Sequence, residues 1–495
     1  MLTLLSLLGV AFSFPSVTLY SQYNNAYNVA VSKGVSRGGT VVYLGSFETS
    51  EECQAACVHQ TPRCWSFVHF DDSNSFAKQC FSVASPGFNP SYDPTATTGV
   101  VHWGCRNEAD CSFNGACNSD HVCVCRKAWK GEKCEQLALQ PAVKGSGYRG
   151  VDGGHNTSSW GGSVLKGQDG KYHMWAAEMT NHCGIGAWQH SSHIIHAVST
   201  NSYAGPYKRV GIPFGVFSHE PVVTPGPNGE FVMFFTATAE RNQTGNCDCC
   251  RPGIGPCDGS TGPGDCQDPV SPYNNVMSFS TSPDGPWSEP VQYFQDGAQG
   301  DSNFAAVILQ NGSLVGMWRN WKGGDGPFGG SRVHLATASN WKDPTSYQKH
   351  PAELFPDLGA AGTEDQFVYL DEAGVFHAVF HHMYGTGTQM QWWLDATGGH
   401  AFSTDGWNWT YTGVAWGDPL ARYNTPQGQG ARVNFTDGTS FKYTRLERPH
   451  LIFRSNRFQG DPVALVSAAQ YGAGTDPGIS ANNDDACMTL IQPVL

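Results

Sequence analysis

Charge is what this chain has little of. Asp, Glu, Lys and Arg make up 14% of its residues, against ~25% in an ordinary soluble protein. Basic residues are the scarcer sign, 29 against 42 acidic ones, which leaves a formal charge of −13. That shortage excludes a nucleic-acid binder, which needs a basic surface to displace phosphate counterions. It also excludes a long coiled coil and a disordered chain, since both need more charge and fewer aromatics. After the N-terminus no apolar stretch reaches the ~20 residues of a membrane span. The closing segment Met488–Leu495 is too short for an anchor tail. The absence of a G-x-S-x-G elbow removes a lipase-type triad.

Glycine (59) and the aromatics (15 Trp, 18 Tyr, 27 Phe) take the place of charge. With short β-branched runs, they favour one large all-β domain with small attachments. The 17 cysteines set the compartment, because the first ten fall between Cys53 and Cys134, a density that persists only where disulfides do. An apolar run from Leu2 to Phe14, with the small residues of Ala11-Phe12-Ser13 near its end, reads as a secretory leader over residues 1–13. Five N-x-[ST] sequons, at Asn156, Asn242, Asn311, Asn408 and Asn434, fit passage through a secretory lumen. The expected localisation is secreted and extracellular.

Two cysteine-rich pieces precede the main domain. In the first, residues 20–102, Cys53 and Cys57 stand four apart and would share one face of a helix starting near Glu51. Each could tie that helix to a different strand, around Cys64 or Cys80. The run Glu51-Glu-Cys-Gln-Ala-Ala-Cys57, followed by Cys64-Trp-Ser-Phe67, resembles PAN/apple domains. That resemblance implies bridges Cys53–Cys80 and Cys57–Cys64 and a protein- or glycan-binding role. The second piece, residues 103–136, has too few apolar residues for a core, so bridges must hold it. Its ending Cys123-Val-Cys125…Trp129…Gly131…Cys134 resembles an EGF-like module. Six cysteines allow 15 pairings, and the resemblance implies Cys105–Cys117, Cys111–Cys123 and Cys125–Cys134. Residues 137–154 read as a flexible linker. Its Gly145-Ser-Gly147-Tyr-Arg-Gly150 matches G-x-G-x-x-G formally, but no βαβ unit surrounds it.

Residues 155–495 repeat. An apolar strand, an Asn-Gly or Asp-Gly turn and a longer apolar strand recur at Gly162…Asp169-Gly170…Trp175, Pro221…Asn228-Gly229…Phe234 and Phe304…Asn311-Gly312…Met317. The unit returns at Phe367…Gly374…Val379 and, more weakly, at Pro449…Asp461…Val466. A second hairpin follows each of the first four. Two hairpins make a four-stranded sheet, and marks just before each first strand fall at 161, 220, 303, 365 and 448. The spacing predicts a five-bladed β-propeller, closed by a final strand over Met488–Pro493. The fold class is therefore mostly β, a five-bladed propeller with two small disulfide-rich N-terminal modules.

In a propeller the starts of the first strands point into the axial funnel. Here they read Trp160-Gly161, His219-Glu220, Asp301-Ser-Asn303, Glu364-Asp365 and Glu447-Arg448. Carboxylates at four of five equivalent places, in a chain this poor in charge, suggest the acid/base pair of glycoside hydrolysis. The candidate catalytic residues are Glu364, Asp365, Glu447, Glu220 and Asp301, with Glu364 the most consequential. Trp160, His219, Asn303, His381, His382 and Arg448 are the candidate substrate-binding residues. The stretches Trp160-Gly-Gly-Ser163, Gly362-Thr-Glu-Asp365, Gly398-Gly-His-Ala-Phe-Ser403 and Leu446-Glu-Arg-Pro-His450 resemble the five-bladed propeller glycoside hydrolases, a superfamily that holds the family 43 arabinanases and the invertases. That resemblance implies an Asp at the start of blade one, where this chain has Gly161; Asp152 lies nine residues before it.

Two functions follow. One is a secreted glycosidase acting on a polysaccharide or a glycoprotein glycan, with the N-terminal modules touching extracellular protein. The alternative is a catalytically silent glycan-binding adhesion protein. No cofactor is implied and no metal site is assigned; nothing in the sequence supports a structural calcium at the axis. His190, His193, His196 and His400 read as hydrogen-bonded strand residues. Cys247, Cys249, Cys250, Cys257 and Cys266 read as a disulfide knot within an insert.

Overall fold

The computed structural model describes most of residues 105–495 and separate stretches between 17 and 101. Residues 1–16, 151–156, 239–272, 295–300, 321–331, 357–362, 383–397, 418–431 and 472–485 are the main segments outside it. The leader, Cys64, Asp152 and the cysteine-rich insert thus lie outside the described residues. The chain forms two compact units: Met1–Arg106 with Ser119–Val122, and Asn107–Asn118 with Cys123–Leu495.

The first unit carries an antiparallel sheet in the order Val17–Leu19, Ala96–Val101, Ser66–Phe70, Gln79–Val83, Val41–Ser46. Cys53 pairs with Cys80, as expected, and Cys57 is also disulfide-bonded.

The second unit is the five-bladed propeller. Blade one is Ser159–Lys166, Tyr172–Met179, Ser192–Ser199 and Lys208–Phe214, in sequence order. Blades two, three and four repeat the pattern, with inner strands Ser218–Pro225, Asp301–Ile308 and Thr363–Leu370. Blade five has three strands, Arg445–Phe453, Pro462–Gln470 and Cys487–Pro493. The hairpin turns are tied by their own side chains. At Asp371-Glu-Ala-Gly374 the Asp371 carboxylate accepts from the N–H groups of Ala373 (2.9 Å) and Val375 (2.8 Å). Inner strands are covered on both faces and are buried almost throughout, whereas the outer strand Lys208–Phe214 alternates exposed and covered residues. Blades two and three share a core around Phe234, Tyr293, Phe304 and Trp341; blades five and one share one around Met174, Ile195, Val466 and Ile491. Each such side chain, fully buried, stabilises the ring by about 1.5–3 kcal/mol.

The final strand expected over Met488–Pro493 forms as Cys487–Pro493, and Thr489 bonds Ser159 and Gly161 of blade one; what departs from the expectation is the cover of its outer edge. Cys487–Pro493 pairs only with Pro462–Gln470 on one side. On its other side runs the segment read as a loose linker: Gln140 N–H donates to the Pro493 carbonyl (2.8 Å), and Tyr148 and Thr489 exchange backbone hydrogen bonds (2.9 and 3.2 Å). An edge strand with unpaired N–H and C=O groups needs such a partner. Gly147 makes the approach possible, because a β-carbon there would stand 2.1 Å from the Thr489 carbonyl oxygen. The buried Tyr148 ring also reaches Glu178 of blade one.

The six-cysteine module is likewise not held by bridges alone. Cys111–Cys123 and Cys125–Cys134 form as expected, and Cys105 and Cys117 are both disulfide-bonded. In addition Phe113 meets Phe402 of blade four edge-on (4.9 Å), and the buried Trp129 lies over His400 (4.9 Å). Arg126 pairs with Asp461 (3.2 Å). The propeller supplies the core that the module lacks.

Candidate active site at the propeller axis

All five inner strands carry the same irregularity at the same place. Between Trp160 and Ser163, His219 and Val222, Ser302 and Ala305, Glu364 and Phe367, and Glu447 and His450, the inner strand advances three residues while its neighbour advances two. That is a β-bulge with one extra residue. In each bulge the extra residue is left-handed: Gly161 (φ 63), Glu220 (57), Asn303 (56), Asp365 (58) and Arg448 (53). Such a bulge ordinarily takes glycine, and an L side chain there costs about 1–3 kcal/mol. Four of the five blades accept that cost and place a polar side chain at the axis.

Those four side chains form one network. Arg448 Nη1 donates to Asp365 Oδ1 (3.0 Å) and lies 3.2 Å from Glu220 Oε2, while Nη2 donates to the Glu220 carbonyl (3.3 Å). The Arg448 backbone N–H donates to Asp365 Oδ2 (3.1 Å), and Asn303 Nδ2 donates to Oδ1. Gly161 is the gap that admits the arginine: a β-carbon there would stand 3.0 Å from Arg448 Cβ. The acid expected at the start of blade one is thus replaced by a guanidinium reaching over from blade five.

A second layer stands one residue earlier. Glu364 pairs with Arg319, the penultimate residue of the blade-three strand Leu314–Asn320, and with His381 Nδ1 (3.4 Å). Glu364 thereby ties blade four to blade three. Glu447 faces Arg445 Nε at 3.6 Å, too long for a strong hydrogen bond. Glu364, Asp365, His381 and Glu447 each place one polar atom within 4.8 Å of the others.

The titration of these groups divides. Burial works against every ionised carboxylate here. It is outweighed at Glu364 by Arg319 and His381, and at Glu220 by Arg448 and His219, so both are held low, at about 2. At Glu447 burial wins, aided by the charges of Glu364 and Glu220, and its pKa is raised. Asp365 is pushed up to about 7 by burial, with Glu364, Glu220 and Glu447 overcoming Arg448. His381 is raised to about 9, because Glu447, Glu364 and Asp365 overcome its burial. Could this set hold the calcium considered above? Arg319, Arg448 and a protonated His381 already oppose its carboxyl groups, so the residues do not fit a calcium ion, which wants several free oxygen donors.

The other candidates fall in different places. His219 is fixed at Nδ1 by Ser192 (2.7 Å), lies 3.4 Å from Glu220 Oε1 and stacks on Trp188 (4.7 Å). Asn303 Oδ1 is buried and has no hydrogen-bond partner among the described residues. Trp160 is packed with Ala177, Met179 and Ala468 between blades one and five, away from the axis. His382 turns to Tyr411 (3.4 Å), on the opposite side of its strand from His381. Asp301 opens its strand opposite Asn320, and its side chain lies outside the described residues. The sequence reading missed Arg319; the signal was a lone charge at the end of an apolar strand, Leu314-Val-Gly-Met-Trp-Arg319.

Residues 108–137 match the family model for a Teneurin-like EGF domain. No curated protein matches the chain. Among solved structures, the chain is similar to the catalytic domain of a GH62 α-L-arabinofuranosidase of Coprinopsis cinerea, at 14% identity over 68% of this chain and 90% of that one (TM-score 0.43). It is also similar to a family 117 glycoside hydrolase of the marine bacterium Zobellia galactanivorans, at 12% identity over 74% and 91% (TM-score 0.41). A thermostable family-43 glycoside hydrolase is a third, at 13% identity over 68% and 89% (TM-score 0.40).

Proposed function

We propose that this protein hydrolyses glycosidic bonds at the propeller axis, with Glu447 as general acid. One observation carries the reading. Glu447 is buried with a raised pKa, in part through the charge of Glu220, which is itself held ionised. Two carboxyl groups whose surroundings push their pKa values apart are the working pair of a glycosidase. Glu447 gives its proton to the leaving oxygen. The ionised partner that takes a proton from water is Glu220, whose side chain is the more exposed of the two ionised carboxylates, 14% against 10% for Glu364. This division moves the acid role from Glu364 to Glu447, because Arg319 and His381 keep Glu364 from holding a proton. Trp188, stacked on His219 beside Glu220, offers a ring face to a sugar, and the bare Asn303 Oδ1 accepts from a sugar hydroxyl.

The substrate class is a polysaccharide or a glycoprotein glycan. The leader, sequons and disulfides support secretion, and the N-terminal PAN-like and EGF-like modules suit contact with extracellular protein. The reading calls for no cofactor at the axis.

Arg448 favours a second reading. Its guanidinium pairs with both Glu220 and Asp365 from the place of the expected blade-one acid, which suits a site that binds glycan without turning it over. A panel of chromogenic pentosides and hexosides, run beside a glycan array, separates the two. Hydrolysis that falls ~10²–10⁴-fold in Glu447→Gln, with unchanged melting temperature, supports the first. Glycan binding without hydrolysis supports the second.

A further inference from the structure

Away from the axis, four side chains form a chain from blade one to blade two. Asp169 Oδ1 lies 3.1 Å from His173 Nε2, His173 Nδ1 lies 2.9 Å from His196 Nε2, and His196 Nδ1 lies 3.6 Å from Asp284 Oδ1. The two rings are buried, and Asp284 is exposed on the turn that follows Tyr273–Ser280.

Proton positions follow from those distances. A carboxylate only accepts, so the 3.1 Å contact needs a proton on His173 Nε2. His173 Nδ1 is then an acceptor, and the 2.9 Å contact places the proton of His196 on Nε2. That leaves a bare lone pair on His196 Nδ1, aimed at a carboxylate. The 3.6 Å gap there is too long for a charge-assisted hydrogen bond, which would close to about 2.7–2.9 Å. Two donors bonded to one zinc ion at ~2.0–2.1 Å, with an angle near ~120°, stand roughly 3.5 Å apart.

Blade four carries the same histidine pair and shows what differs. His377 Nδ1 lies 3.1 Å from His400 Nε2, and Asp371 stands behind His377 at 3.5 Å. There the outer His400 Nδ1 meets the Thr412 hydroxyl at 2.7 Å, a group that can donate or accept. Blade one has a carboxylate in its place.

We propose that His196 Nδ1 and the Asp284 carboxylate bind one divalent transition-metal ion of the zinc class, with His173 and Asp169 as its outer support. Imidazole with carboxylate suits zinc, copper or nickel. A ligating histidine that donates its other N–H through a second group to a carboxylate has its tautomer and ring orientation fixed. His196 is held further by stacking on Trp175 (5.2 Å, 10° between planes), whose edge meets Trp287 of the Asp284 turn (5.9 Å). His173, His196 and Asp284 each offer an atom within 4.8 Å of the others. The ion would join blade one to blade two, with water in its open positions.

The experiment is calorimetric titration of the full chain with Zn²⁺ after treatment with EDTA, disulfides intact. One equivalent should bind. Asp284→Ala, an exposed change that leaves the fold alone, should weaken binding at least ~100-fold, as should His196→Ala. His173→Ala should cost ~10–100-fold, the usual effect of losing an outer partner. A Co²⁺-loaded sample should show d–d absorption that Asp284→Ala removes. Failure to bind Zn²⁺ overturns the proposal, and so does binding of equal strength in Asp284→Ala, which would place the ion elsewhere.

Discussion

Arg448 occupies the space that Gly161 leaves. Its β-carbon would lie 3.0 Å from a β-carbon at 161, and its guanidinium continues to Asp365 and Glu220. Blades one, two, four and five therefore meet in one side chain. Gly161→Ala tests the relationship: the new methyl crowds Arg448 in a left-handed backbone position (φ 63). Stability should fall by about 1–3 kcal/mol, read from urea denaturation. A neutral result would mean that Arg448 has room to move.

Glu364 and Arg319 form a buried pair between blades three and four. Removing one partner of such a pair leaves an uncompensated charge and costs about 3–5 kcal/mol. Glu364→Gln should therefore destabilise the protein by that order. The double variant Glu364→Gln/Arg319→Met should recover most of the loss. If Glu364→Gln melts with the parent and loses activity alone, Glu364 is a catalyst and the acid assignment to Glu447 fails.

The blade marks were legible because the repeat carries its own punctuation. Asn228-Gly229, Asn311-Gly312 and Asp169-Gly170 close the inner hairpins, and the marks earlier in each inner strand, Gly161, Glu220, Asn303, Asp365 and Arg448, prove to be the five bulge positions. Side-chain partners were not legible, because they depend on packing between blades. Arg319 reaches Glu364 from another blade, and Arg448 fills the vacancy at Gly161 across 287 positions of sequence, 448 − 161. The same holds for residues 138–148. As sequence their Gly145-Ser-Gly147 reads as a flexible linker, and only the unpaired edge of Cys487–Pro493 turns them into a strand partner.

The axial site also gives stability a pH dependence. His381 has its pKa raised to about 9 from an ordinary 6.5, so its contribution is complete below about 6.5 and is lost as pH rises through 9. Glu364 is lowered to about 2 from 4.5, so its contribution is complete above about 4.5 and is lost as pH falls toward 2. Melting temperature should decline on both sides of that interval. His381→Asn should flatten the alkaline side and leave the acid side in place. An unchanged alkaline slope would show that His381 is neutral in the folded protein.

The final prediction concerns where the propeller begins. A chain starting at residue 155, the boundary expected from sequence, would lack the segment that pairs with Cys487–Pro493. It would also uncover Phe402 and His400, now covered by Phe113 and Trp129, and would leave Glu178 without Tyr148. A chain starting at residue 103 keeps all of these contacts. Losing an edge partner exposes a template for aggregation, and losing a hydrogen bond to a buried charge costs about 1.5–3 kcal/mol by itself. Secreted under oxidising conditions, the longer chain should be monomeric with a single cooperative melt. The shorter one should be insoluble or should melt at least ~5 °C lower, a shift that a few kcal/mol produces in a domain of this size. Equal melting temperatures would mean that the six-cysteine module and residues 138–148 rest on the propeller without supporting it.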